Sequence, residues 1–591
     1  MQNYRDNYKE RLSRRLGEAV KETCESAELV NFRETDTGFY CDFAMPPINP
    51  AIFAKIAENM DALRSGTDCA HSPGGAFVPD GASEPDGAFE PDGVSEPDGV
   101  SACSPACALE SFSGVYGEEG GHIARGEGAS GREAPESAAE SKTKAQDPAA
   151  EGDTRPDRVL QRIYAAAFES AGELEKYRLF TEESRKRDHK TLGAQLRLFS
   201  HSDEVGQGLT LLHPKGAMLR WLMESFSQAA HILNGYQWVY TPHIGRARLW
   251  RTSGHLDFYA DSMYSPIAID GEEYYLKPMN CPFHIEIYNS ETRSYRDLPV
   301  KYAEFGTVYR YELSGALNGL TRVRGFTQDD AHIFCTPEQV GKECAEALKF
   351  CLYILRAFGF EDFTAYISTK PKRKFIGEPE KWDEATEILK NTAAAAGLDY
   401  RIDEGGGAFY GPKIDLKLRD SMNREQQCGT IQFDFNLPER FGMSYAGADG
   451  ARHTPLMVHR ALFGSLERFM ALLIEHYKGA FPFWLSPVQF GIVPVRPEHA
   501  VYGKAVLARL RDMGFRCEMN GGNENMRNKI KAFQLEKVPY ILVAGDKEAG
   551  NSTVSVRGRN EGDLGEMDME RLAEYLKPMA EMGKAKCILE E

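Results

Sequence analysis

Between Pro214 and Asn234 the apolar residues Met218, Leu219, Leu222, Met223, Phe226 and Leu233 return at roughly the helical period. The run stops at Asn234-Gly235, so a helix is predicted there. Further on the period shortens to two. Phe305 to Arg310 and Arg324 to Ile333 are apolar-patterned runs around a loop rich in Ser, Gly and Asn, which predicts an antiparallel hairpin. Arg310 and Glu312 are expected on one face of its first strand. Ala408 to Asp415 and Gln426 to Asp434 read as strands with polar groups at alternate positions, Thr430, Gln432 and Asp434 sharing a face. For Asp434 the pattern leaves open whether that face is a site or meets solvent. After Trp484-Leu-Ser-Pro487, a strand-like Val488 to Val495, a helix-like Ala500 to Met513 and a strand-like Tyr540 to Ala544 alternate, which predicts a small α/β domain of about 100 residues.

The first third lacks such periods. Pro79-Asp-Gly, Pro85-Asp-Gly, Pro91-Asp-Gly and Pro97-Asp-Gly recur regularly and give way to Gly, Ala, Ser and Glu through Glu151. This turn-rich, acidic composition cannot bury enough apolar surface to order itself, so residues 65–157 are expected to be a disordered linker. A short-period β-solenoid would need β-branched strand positions that the repeat lacks.

With 591 residues, 42% hydrophobic and 27% charged, the chain has room for about three or four domains. No apolar run approaches the roughly 20 residues that span a bilayer. Met1-Gln-Asn-Tyr-Arg-Asp has no signal-peptide core, so a cytoplasmic location is expected and no membrane partner. Twelve cysteines are too sparse for a disulfide scaffold and are expected as thiols, packed side chains or metal ligands. A formal charge of −18 argues against indiscriminate coating of nucleic acid, and no DNA partner is expected. It leaves room for a local basic groove that takes one RNA.

The hairpin concentrates the chemistry. Arg310, Glu312, Arg322, Gln328, Asp330 and His332 all belong to one strand-loop-strand unit. A guanidinium binds phosphate as a fork and stays charged at any working pH. A nearby carboxylate can orient an adenine amino group or the arginine. An isolated Arg-x-Glu reads as a surface ion pair; the accompanying residues point instead to a site holding ATP with a small polar substrate. Cys281, His332 and His459 are far apart in sequence, and spacing alone gives a buried thiol and two hydrogen-bonded imidazoles.

Phe305 to Glu312 is similar to motif 2 of class II aminoacyl-tRNA synthetases, Gly235-Tyr-Gln-Trp-Val-Tyr-Thr-Pro242 resembles motif 1, and Gly464-Ser-Leu-Glu-Arg468 resembles motif 3. Arg322-Val-Arg-Gly-Phe-Thr-Gln-Asp-Asp-Ala-His-Ile-Phe is similar to the version found in threonyl-tRNA synthetases, and the resemblance covers about 158–591. It implies an α+β chain: a helical lead-in over 158–200, carrying Leu160-Gln-Arg-Ile-Tyr164 and Arg187-Asp-His-Lys190, an antiparallel-sheet catalytic domain over 201–486, and a C-terminal α/β anticodon-binding domain over 487–591. The implied substrates are ATP, L-threonine and tRNA(Thr), with Mg²⁺ accompanying ATP and a homodimer formed through motif 1.

The resemblance also implies roles. Arg310 would meet the α-phosphate and Arg322 and Arg468 the outer phosphates, as the catalytic groups, with Glu312, Phe326, Gln427 and Thr430 completing the ATP site. Met279, Gln328, Asp330, Tyr410 and Gln432 would hold threonine, while Cys428 would be packing. Cys281, His332 and His459 match zinc ligands, one zinc per subunit, and three protein ligands leave tetrahedral zinc an open place, as a substrate-binding site requires. Asn523, Glu548 and Arg557 would read unstacked anticodon bases, with Lys529, Lys531, Lys537 and Arg559 adding to a basic face around Arg557. Residues 1–64 resemble a remnant of the family's editing domain. Glu10 and Arg14 stand where the family carries a His-x-x-x-His pair, and its later Cys-x-x-x-His element is missing, so hydrolytic editing of seryl-tRNA is expected to be absent. Phe283, Gly406 and Tyr311 depart from the family's usual Gly, Glu and Asn. Two alternatives remain: a synthetase-like paralogue that does not charge tRNA, and a regulator that binds messenger RNA through the C-terminal domain.

Overall fold

The computed structural model describes residues 171–372 and 375–589, and before them the segments 16–22, 24, 28–35, 38–45, 55, 106–110, 115–116 and 159–168. The chain divides into two units, residues 1–181 and 182–591. In the first unit, strands Glu28–Thr35 (β1), Gly38–Met45 (β2), Ala106–Glu110 (β3), Val115–Tyr116 (β4) and Val159–Phe168 (β5) form an antiparallel sheet in the order β1-β2-β5-β3, with β4 also on β5. Two expectations are corrected here. β3 and β4 fall inside the stretch read as linker, and β5 is a strand where the lead-in was expected to be helical. Val159, Ile163, Tyr164 and Phe168 are β-branched or aromatic, and partners on both edges satisfy the backbone of β5. Helix begins only at Ala171, with Ala171–Arg187 and then His189–Gln195 (α1). The Pro-Asp-Gly repeats, Glu10 and Arg14 lie outside the described residues.

The second unit is built on a sheet of eight strands: Gln237–Trp238 (β6), Val300–Tyr309 (β7), Gly325–Cys335 (β8), Thr364–Ser368 (β9), Tyr400–Asp403 (β10), Lys413–Arg419 (β11), Glu425–Asp434 (β12) and Leu456–Ala461 (β13). Their order is β10-β9-β11-β12-β13-β8-β7-β6, antiparallel except at the two edges. The predicted helix is Pro214–Leu233 (α2). It joins Val340–Ala357 (α4) and Leu466–His476 (α5) over one face, where Ala303, Ala331, Ile333, Val458, Ile431 and Ile414 supply the sheet side of the main core. Strand alternation therefore turns the even positions of β7, β8 and β12 and the odd positions of β13 to the other face. Cys281–Asn289 (α3) covers part of that second face through Ile285, Tyr288, Tyr302, Phe334 and Met457. The remainder is open.

The hairpin is longer on its inner side than expected, and its first strand ends at Tyr309. Arg310 and Glu312 are thus not on one strand face. The Glu312 amide donates to the Arg310 carbonyl at 2.9 Å, a three-residue turn that lifts both side chains off the sheet edge. Ala408 to Pro412 also proves to be a turn rather than strand, because a side chain at Gly411 would meet the Phe433 carbonyl oxygen at 1.7 Å.

The C-terminal part is the expected α/β layer. Phe490–Pro494 (β14), Cys517–Met519 (β15), Tyr540–Ala544 (β16), Val554–Gly558 (β17) and Gly562–Met567 (β18) run in the order β15-β14-β16-β17-β18. Phe490, Ile492, Tyr540 and Leu542 face one apolar cluster while Val493 and Ile541 face another, so β14 and β16 are covered on both sides and read as continuous apolar runs.

Candidate active site

Register builds the site. Tyr302, His332, His459, Gln432 and Lys413 stand directly opposite one another across β7, β8, β13, β12 and β11. Glu304, Asp330, Ala461, Thr430 and Asp415 form the next row. Directly opposed residues hold their Cβ atoms about 5 Å apart, so groups scattered through the sequence become neighbours. The small Ala461 keeps the second row open between Asp330 and Thr430. Around these rows lies a cavity of about 500 Å³. Its walls include every side chain expected for ATP, threonine and metal: Arg310, Glu312, Arg322, Phe326, Gln427, Thr430, Arg468, Met279, Gln328, Asp330, Tyr410, Gln432, Cys281, His332 and His459. Phe283 packs on Trp250 and Tyr311 is exposed; neither lines the cavity, whereas Gly406 does.

Three arginines enter from three segments. The Arg310 guanidinium lies over the Phe326 and Tyr259 rings at 5.1 and 5.7 Å, and its Nε donates to the Pro278 carbonyl. Stacking of this kind fixes the plane of the fork while leaving donors free. Arg322 is held by Glu312, both Nε and Nη2 lying 2.9 Å from Oε2. Arg468 donates to the Thr321 and Gln427 carbonyls, and burial lowers its pKa. It sits at the start of α5, where Ser465 caps the helix and Gly464 takes φ +72; a side chain there would stand 2.8 Å from the Cys428 carbonyl oxygen. On the opposite wall Gln427, Thr430 and Asp415 share hydrogen bonds of 2.7–2.9 Å. The Tyr410 hydroxyl donates to Gln432 at 2.8 Å, and Asn280 holds Asp330.

One ligand atom from each of Cys281, His332 and His459 lies within 4.8 Å of the others, and all three residues are buried. Two hydrogen-bond chains orient the imidazoles. Asp434 is fully buried; its Oδ1 accepts the backbone N–H groups of Asn436 and Leu437, and its Oδ2 accepts from His459 Nε2 at 2.8 Å. On the other side Glu304 accepts the Thr241 amide and hydroxyl, that hydroxyl accepting in turn from the buried Lys277. His284 Nε2 therefore donates to Glu304, His284 Nδ1 accepts, and the proton of His332 sits on Nδ1, 2.8 Å away. Both chains thus turn a lone pair inward, from His332 Nε2 and His459 Nδ1, and these atoms are 3.0 Å apart. Two lone pairs so close repel unless a cation lies between them. Burial keeps His332 well below the ordinary histidine pKa. Burial, with Asp330 and Asp434 nearby, keeps the Cys281 thiol protonated until a cation draws the proton off. The donor set fits a divalent, nitrogen- and sulfur-preferring metal.

His284, Glu304 and Lys277 were not among the residues singled out from the sequence. His284 could have been found, since Cys281-x-x-His284 puts both side chains on one side of α3; Glu304 reads as an ordinary charged strand residue. In the C-terminal part, Asn523 and Arg557 are exposed, whereas the Glu548 carboxylate accepts from Gly545 N and Ser555 Oγ. The five-residue basic face is corrected. Lys529, Lys537 and Arg559 donate to backbone carbonyls at the domain's inner side, which leaves Lys531 and Arg557 exposed.

Residues 264–477 match the family described as tRNA synthetase class II core domain (G, H, P, S and T), and residues 489–579 match the anticodon binding domain family. The chain is 53% identical over 418 residues to a threonine–tRNA ligase of Aquifex aeolicus, covering 71% of this chain and 65% of that protein. It is 49% identical over 422 residues to one of Borrelia turicatae, covering 71% and 72%. Among solved structures, the RNA binding domain of threonyl-tRNA synthetase from Cryptosporidium parvum aligns with a TM-score of 0.64 at 40% identity over 66% of this chain and 98% of that one. A putative threonyl-tRNA synthetase from Aeropyrum pernix aligns with a TM-score of 0.60 at 30% identity over 68% and 98%. The chain thus spans about 65% of the length of the first of these curated relatives.

Proposed function

Because the chain belongs to the threonine–tRNA ligase family of class II aminoacyl-tRNA synthetases, we propose that it activates L-threonine with ATP and transfers it to the 3′ end of tRNA(Thr). The observation that carries this reading is one cavity lined both by the arginine trio and by the inward-turned His332, His459 and Cys281. In the first step the threonine carboxylate attacks the ATP α-phosphate and pyrophosphate leaves; the threonyl group then passes to the terminal ribose of the tRNA. Charge builds on the phosphoryl oxygens in the first step. Arg310, its guanidinium plane fixed by two rings, stabilises it at the α-phosphate, and Arg322 and Arg468 hold the outer phosphates with Mg²⁺. Glu312, Phe326, Gln427 and Thr430 take the nucleotide. Met279, Gln328, Asp330, Tyr410 and Gln432 take the amino acid.

Cys281, His332 and His459 would hold zinc, which when bound supplies a Lewis acid for the amino and hydroxyl groups of threonine. Packing alone separates a methyl from a hydroxyl group poorly, by about 100-fold in comparable sites. Asp330 accepts a hydrogen bond from the hydroxyl or ammonium group, which valine cannot match at the side chain. Serine can, at the loss of contacts worth about 1 kcal/mol for one methyl group. We extend the reading to a chain that does not clear seryl-tRNA itself, supported by Glu10 and Arg14 in place of the family's histidine pair. A homodimer through the motif 1 segment and anticodon contacts from Asn523, Glu548 and Arg557 complete the proposal. The test is ATP–pyrophosphate exchange with threonine, serine and valine, alongside metal analysis and tRNA charging. Exchange with threonine, weaker exchange with serine, none with valine and one zinc per chain are expected; no exchange with any of them overturns the reading.

A further inference from the structure

We infer that His189 and Glu475 form a buried positioning pair that sets the loop carrying Arg322 for the nucleotide, an inference that rests on the ATP reading of the cavity. His189 opens α1 and is 2% exposed; Glu475 lies near the end of α5 and is 5% exposed. Glu475 Oε1 accepts from His189 Nδ1 at 2.7 Å and from the His189 amide at 3.1 Å, and Oε2 accepts the Ser421 amide at 2.7 Å. The other ring nitrogen, Nε2, accepts the Leu320 amide at 3.1 Å. A backbone N–H can only donate, so Nε2 carries the lone pair and Nδ1 carries the proton given to Glu475. The tautomer is fixed from both ends.

Leu320 sits in the loop between β7 and β8, two residues before Arg322. The loop is pressed onto the ring: Gly319 takes φ +48, and a side chain there would stand 2.2 Å from His189 Nε2. The next residue, Thr321, offers the carbonyl that holds Arg468 Nε at 3.0 Å. Its neighbour Arg322 closes the turn by donating its amide to the Asn318 carbonyl at 3.3 Å. One imidazole outside the cavity therefore fixes the backbone from which Arg322 reaches in and against which Arg468 rests. The neighbouring Lys190 of α1 adds only an exposed side-chain bond to the same loop, from Nζ to Asn318 Oδ1 at 3.3 Å. A phosphate site needs its guanidinium groups at fixed mutual distances, so slack at Leu320 weakens nucleotide binding while leaving the His332–His459 end unchanged.

The two amide replacements of His189 divide its two bonds. In His189→Asn the amide reaches only the Nδ1 position toward Glu475; in His189→Gln the amide oxygen reaches the Nε2 position toward Leu320. The full chain and both variants are compared by hydrogen–deuterium exchange of the peptide spanning residues 316–324 and by steady-state pyrophosphate exchange. For His189→Asn we expect faster deuterium uptake in that peptide and a KM for ATP raised about tenfold with the KM for threonine within about twofold. His189→Gln restores both. Unchanged uptake in His189→Asn, identical behaviour of the two variants, or parallel changes in both KM values overturns the inference. The uptake measurement needs no substrate, so it judges the pair even where the wild-type chain fails to activate threonine, a result that would count against the ATP reading alone.

Discussion

The cavity and the C-terminal domain both carry basic side chains, and they use them differently. In the cavity, Arg310, Arg322 and Arg468 are each held on one flank, by rings, by Glu312 or by carbonyls, and still point donors into the space between. In the C-terminal domain, Lys529, Lys537 and Arg559 spend their donors on carbonyls of Pro494, Lys478, Ala480 and Phe481. The first arrangement is built for a ligand. The second fastens chain segments to one another, and only groups such as Arg557 are left to meet a partner.

Replacing two residues on each side should sharpen the difference between them. The largest effect is expected from Arg310→Ala, which lowers threonine-dependent pyrophosphate exchange by about 1,000-fold with an unchanged circular dichroism spectrum. Next is Glu304→Gln. Without the carboxylate that fixes His284 and through it His332, affinity for zinc falls about 10- to 100-fold, read by equilibrium competition with a chelator and so independent of turnover.

On the other side the order of consequences reverses. Arg559→Ala leaves carbonyls at Lys537 and Ala480 without this partner, while Phe481 keeps the Ser486 hydroxyl, and should cost about 2 kcal/mol in urea unfolding, with pyrophosphate exchange intact. Arg557→Ala should shift stability by less than about 0.5 kcal/mol and raise the KM for tRNA several-fold.

A separate effect, read in pH rather than by ligand, concerns the core face behind the site. Burial pushes the Asp329 carboxyl up to about 7, against backbone donors from Leu462 and Phe463 that favour its anion. The unfolded chain has an ordinary carboxyl near 3.8. Between these values the folded state holds a proton that the unfolded state has lost. Its contribution is therefore fully present below the ordinary value and disappears as pH rises toward 7. Urea midpoints of the wild type should fall between pH 5 and pH 7 more steeply than those of Asp329→Asn.

Much of the site was legible in the chain because motif residues fall in runs whose period is unmistakable. Gln328, Asp330 and His332 alternate along β8, and Thr430, Gln432 and Asp434 along β12, so each trio shares a face whatever lies beside it. The period broke down where a turn replaced strand, at Arg310 to Glu312 and at Ala408 to Pro412, because a local carbonyl or a close backbone approach outweighed the apolar pattern. It also failed for β5, where apolar and β-branched residues in a short run fit helix and strand alike.

The sequence by itself determined which side chains share a face along β8 and β12, that arginines accompany them, and that the last domain is a small α/β layer, since these follow from local period and residue type. Only the tertiary structure decided which charges are free. Whether a lysine or arginine serves a ligand or a carbonyl, whether Asp434 meets solvent or His459, and which ring nitrogen of His332 or His189 carries a proton all depend on partners brought together by strand register from distant parts of the chain. A hydrogen bond is decided by the atom that arrives opposite, and nothing in the period of a strand specifies that atom.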